Sequence, residues 1–195
     1  MTPPTVSIPS NSSTTDESAG HNQNLVLVPG NYRNVSVSSG GTITLTAPGT
    51  YNIDCITANS AGSNITISPA TKAITINVSG TGCASAPINF GSNTFINNSS
   101  GVAANFMINY PGTGTLTFTG GTSTYAVINA PNAPVVLHGG ANYYGTIMAS
   151  TIDDSGGTNL HFDAADKTVS AVTAATATAN ATGSYNTLAF RSLPY

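Results

Sequence analysis

The carboxylates are the first residues that chemistry could use. Asp153 and Asp154 are adjacent, and acid pairs cleave glycosidic bonds when one protonates the leaving oxygen while the other attacks or activates water. Neighbours on a strand point to opposite faces, so this pair cannot fill both roles. Asp54 or another acid would have to approach within about 5 to 9 Å from a separate segment. The pair is read as a solvated turn, and no catalytic residue is assigned. His138, His161, Asp163 and Asp166 could supply a metal site if neighbouring rungs bring them together. The favoured reading of His161 and Asp163 is that they hydrogen-bond backbone groups at the closing end of the fold. No metal site and no cofactor is expected.

Cys55 and Cys83 show neither the CxxC nor the Cys/His spacing of a zinc site. Two readings stay open: a disulfide, worth roughly 3 kcal/mol on the chain-entropy model, or two unrelated small core residues. Pairing requires Cα atoms within about 7 Å. Tyr125, Tyr143 and Tyr144 could form a carbohydrate-stacking platform or an aromatic ladder that stiffens the fold; the ladder is favoured. Thr42, Thr44 and Thr46, and Thr115, Thr117 and Thr119, alternate with apolar residues and so project from one face at about 6.7 Å spacing. Flat Thr arrays of this kind suit ice or glycan binding, although Ser36, Ser38, Asn64, Ser68 and Asn77 interrupt the rows.

The elements that would carry these side chains are strands. Val35-Ser36-Val37-Ser38, Thr42 to Thr46, Asn64 to Ser68, Ile74 to Val78 and Thr115 to Thr119 all alternate apolar and polar residues, the period-two signature of a half-buried strand. No comparable segment has a 3.6 period with caps, so a βαβ sheet is disfavoured. Turn signals recur every 17 to 21 residues, most clearly at Gly-Gly pairs 120-121, 139-140 and 156-157. Aligning those three pairs puts Tyr125, Tyr144 and His161 at one offset. A repeat of that length fits one coil of a parallel β-solenoid rather than the hairpins of a sandwich. The expectation is an all-β, right-handed parallel β-helix of seven to eight rungs, divided as a flexible linker over 1–20, the helix over 21–167 and a C-terminal cap or edge strand over 168–195.

Composition narrows the function. Of 195 residues only 6% are charged, with four Lys and Arg and a formal net charge of −3, too little positive charge for a nucleic-acid surface. The longest apolar run, Leu25 to Val28, cannot span a bilayer. Neutral, Thr-rich, Gly-punctuated chains of this size are typically extracellular β-proteins.

The run from Ala141-Asn142-Tyr143-Tyr144-Gly145 through Ser155-Gly156-Gly157 to His161-Phe162-Asp163 combines a Gly-Gly pair, a tyrosine-glycine step, a short apolar strand and a closing His-aromatic-Asp. Tyr125 to Ala133 also matches this repeat, and Tyr185 to Arg191 supplies an aromatic-Arg strand ending. Over about residues 105–191 the chain resembles a bacterial domain of unknown function found in PilX-type, type IV pilus-associated proteins. The resemblance implies an exported, envelope-associated β-helix. The expected function is a non-enzymatic structural or adhesive surface domain, extracellular or at the bacterial cell surface, with other surface or pilus components or glycans as partners and self-association through the solenoid ends. An ice- or glycan-binding solenoid and a polysaccharide-acting enzyme are the rival readings.

Overall fold

The computed structural model describes residues 5–162 except 59, 70–71, 84, 92–94, 98–99, 120–122 and 141, with the backbone alone of 95–97. Asp163, Asp166 and the expected cap over 168–195 lie outside the described residues, as do the Gly-Gly pair 120-121 and Tyr185 to Arg191. The chain forms a parallel β-solenoid of about six turns.

The solenoid has three faces. The first stacks part or all of β3 (Gly30–Val37), β5 (Gly49–Thr57), β7 (Ile74–Val78), β10 (Phe106–Asn109), β12 (Thr124–His138), β13 (Asn142–Asp154) and β14 (Asn159–His161). The second carries β1 (Glu17–Ala19), the later halves of β3 and β5, then β8 (Ile88–Phe90), β11 (Leu116–Thr119) and the later halves of β12 and β13. A separate four-stranded sheet of β2 (Asn24–Leu27), β4 (Thr42–Thr46), β6 (Asn64–Ser68) and β9 (Phe95–Asn97) forms the third. β5 turns the corner within one strand, since residues 49–53 pair with β7 and 56–57 with β8.

Alternation explains the core. In β4 the pattern is half-exposed Thr42, Thr44 and Thr46 against fully buried Ile43 and Leu45. Parallel pairing then stacks each inward residue on its equivalent: Ile76, Ile108, Ile128 and Ile147 form one column, and Ile56, Ile88, Leu116 and Val135 another. Burying one such side chain stabilises the fold by about 1.5–3 kcal/mol, so the winding register is fixed by which residues are apolar.

One expectation needs correction. The coil length is regular at both ends, 18 residues from Glu17 to its partner Val35 and 17 from Asn142 to Asn159, but Asn77 pairs with Asn109. The coil after Asn77 is therefore longer than the 17 to 21 residues that separate turn signals elsewhere. The extra length goes into a turn pinned at Cys83 and a 3-10 turn, Ala103–Asn105, packed against β12 and β13. Among the described residues, seven strand levels result on each of the first two faces. Within the segment read as a linker, Glu17–Ala19 pairs in parallel with β3, and residues 11 and 16 make side-chain bonds to β3 and β5.

Candidate functional site

The most regular feature outside the apolar core is a column of asparagines. Asn31, Asn52, Asn77, Asn109 and Asn129 occupy one register position on five successive levels of the first face. Each Nδ2 donates to the Oδ1 one level earlier: Asn52 to Asn31 at 2.7 Å, Asn77 to Asn52 at 2.9 Å, Asn109 to Asn77 at 2.9 Å and Asn129 to Asn109 at 3.3 Å. A primary amide carries both a donor and an acceptor, so identical side chains a strand spacing apart satisfy one another. Asn31 is exposed, whereas Asn77, Asn109 and Asn129 are 7%, 2% and 9% exposed. The column stops where Met148 takes the next position, and the buried Oδ1 of Asn129 has no partner among the described residues. In the sequence alone Asn77 reads as an interruption of a Thr row. The usable signal was the recurring Ile-Asn step at 76-77, 108-109 and 128-129.

The aromatic column falls where the repeat placed it. Tyr125 stacks on Tyr144 with centroids 4.6 Å apart and planes within 10°, and Tyr144 stacks on His161 at 4.5 Å and 14°. His161 Nε2 donates to Asn142 Oδ1 at 3.0 Å. Both faces of Tyr144 are covered in this stack, so that ring presents its edge rather than the open face that a sugar ring stacks on. Tyr143 does not join them. It is buried in the core, and its hydroxyl donates to the Ala126 carbonyl at 2.8 Å.

Cys55 and Cys83 form a disulfide with Cα atoms 6.1 Å apart. Beside it Asp54, 4% exposed, accepts hydrogen bonds from Ser79 Oγ at 2.6 Å and Asn11 Nδ2 at 3.0 Å. Asp153 and Asp154 are exposed on β13, four strand steps from β5 on the second face, roughly 19 Å at ordinary strand spacing. Asp154 closes the Asp154–Thr158 turn, and the Thr158 backbone N–H, then its hydroxyl and the N–H groups of Gly156 and Gly157, hold its carboxyl below the usual carboxylate range. The acids are thus not gathered, and among the described residues no three His, Cys, Asp or Glu side chains cluster. His138 is exposed and hydrogen-bonds Ser155.

The threonines separate into two sets. Thr42, Thr44 and Thr46 lie on the third face, where Thr42 and Thr44 are in register with Asn24 and Val26 of β2 and all three with Asn64, Thr66 and Ser68 of β6. Thr117 and Thr119 lie on the second, with Thr115 leading into the same strand. They do not form one continuous array.

No curated protein and no solved structure matches the chain. The sequence pattern of a family described only as a domain of unknown function, DUF7305, matches residues 12–169, a span that includes β1 and every later level of the solenoid, and the chain belongs to that family.

Proposed function

We propose that the chain is a structural and adhesive surface domain, a stiff rod presented on the bacterial envelope or in a type IV pilus-like assembly. The observation that carries this reading is the five-asparagine column. Side-chain hydrogen bonds running along the axis couple each turn to the next beyond the backbone ladder, and linked polar chains reinforce one another at low dielectric. Such a device resists bending and sliding between turns, which serves a rod that holds something away from a surface. The Cys55–Cys83 bond supports an exported location, since disulfides persist in oxidising compartments. The pilus setting rests on the resemblance of residues 105–191 to PilX-type proteins. Partners on this reading are other surface or pilus components, or neutral glycans on the uncharged outer rows.

Immunogold labelling of intact source cells, with the sheared filament fraction probed by the same antibody, tests the reading. Label on unpermeabilised cells and in the filament fraction is expected; label confined to permeabilised cells overturns it. A glycan- or ice-binding role finds its support in the third face, where Val26 and Val28 lie exposed beside the Thr44–Thr66 row. Thermal hysteresis, or glycan-array binding abolished by Thr44→Lys, would establish that role instead.

A further inference from the structure

Residues 5–16 have the composition of a linker, yet they lie against the solenoid through polar groups. Asn11 Nδ2 bridges two levels, donating to the Tyr32 carbonyl of β3 at 2.6 Å and to Asp54 of β5. Asp16 receives the guanidinium of Arg33 through both Nε and Nη2, together with the backbone and side-chain N–H groups of Asn34. The Arg33 backbone N–H donates to the Thr15 carbonyl at 2.7 Å. Of residues 5–19 only Ala19 belongs to the connected apolar core; Val6 is buried but outside it. Val6 apart, the segment is therefore attached by hydrogen bonds and an ion pair, with little of the apolar burial that makes an element cooperative with the rest of a fold.

We propose that residues 5–16 form a detachable strap, clasped to the rod by Asn11 on Asp54 and Asp16 on Arg33, that opens while the solenoid stays wound. Twelve residues released from the rod span up to about 40 Å, so opening the clasp lengthens the tether between residue 5 and the first strand. Charge sets the condition for opening. The hydrogen bond from Arg33, with smaller contributions from Asn34, lowers the Asp16 carboxyl to about 2. The sign follows: the ionised clasp is complete above the unfolded carboxylate value near 4 and is lost as pH falls through about 2. The other charged groups near the clasp are Glu17, which acts on Tyr32, and Asp54, which acts on Arg33.

Backbone 15N relaxation on the full chain tests this. In N11A/R33Q at pH 7, order parameters of residues 7–16 should fall below about 0.6, the flexible range, while amides of β3 to β13 keep their wild-type shifts. In the wild type the strap should lose order between pH 4 and 2, and in R33Q that midpoint should move upward. A strap that stays rigid in N11A/R33Q overturns the proposal, and so does simultaneous loss of dispersion in β3 to β13. An acid midpoint that R33Q does not move overturns the assignment of the clasp to Asp16.

Discussion

Replacing Asn77 by Ala cuts the asparagine column at its centre. Two of its four amide bonds are lost, one to Asn52 and one from Asn109. Each is worth about 0.5–1.5 kcal/mol net. The Nδ2 of Asn109, whose residue is 2% exposed, loses its acceptor, and an unsatisfied buried donor costs about 1–3 kcal/mol. These contributions overlap, so the expected loss is about 2–4 kcal/mol, or roughly 5–15 °C in Tm for a chain of this size. Asn31→Ala is the matched control: it removes one bond at the exposed end of the same column and should cost less than about 1 kcal/mol. Urea unfolding of both variants, followed by far-UV circular dichroism, gives the comparison directly. Equal midpoints for N77A and N31A would refute the reasoning, because they would mean that the buried amides contribute no more than a solvated one.

Three further perturbations follow from the same geometry. Met148→Asn places a donor beneath the unpartnered Oδ1 of Asn129, and a sixth member should raise stability by about 0.5–1.5 kcal/mol, read as a higher Tm. Gly145→Ala sets a Cβ 2.0 Å from the Ala126 carbonyl oxygen at a backbone φ of +138°; the strain and overpacking should cost about 3 kcal/mol in chemical denaturation. Reducing Cys55–Cys83, which are 28 residues apart in sequence, should cost about 3–4 kcal/mol on the loop-entropy account, seen as a lower Tm in the presence of a thiol reductant.

Much of the fold was legible because a solenoid writes itself in local patterns. The alternation in 42–46, 64–68 and 74–78 became β4, β6 and β7, and the aligned Gly-Gly pairs correctly placed Tyr125, Tyr144 and His161 in one stack. Gly156 shows what one of these turns requires: a Cβ there would lie 2.1 Å from the Gly139 nitrogen, so that position takes no side chain. The long coil between Asn77 and Asn109 was not legible, since a period read from turn signals does not distinguish a rung from an excursion. Nor was the attachment of residues 5–16, where composition predicts solvation and only the placement of Asn11 and Asp16 against β3 and β5 decides otherwise. Tyr143 and Tyr144 are neighbours with opposite fates because strand residues alternate between faces. The asparagine column was present in the sequence, but recognising it required the register that relates 31, 52, 77, 109 and 129.

Hydrogen exchange of the asparagine side-chain amides, resolved by 15N NMR, tests the central claim most directly. The account predicts protected Nδ2 protons at Asn77, Asn109 and Asn129, with Asn31 exchanging as a free amide. Exchange at the free rate in all four would contradict both the column and the register that builds it.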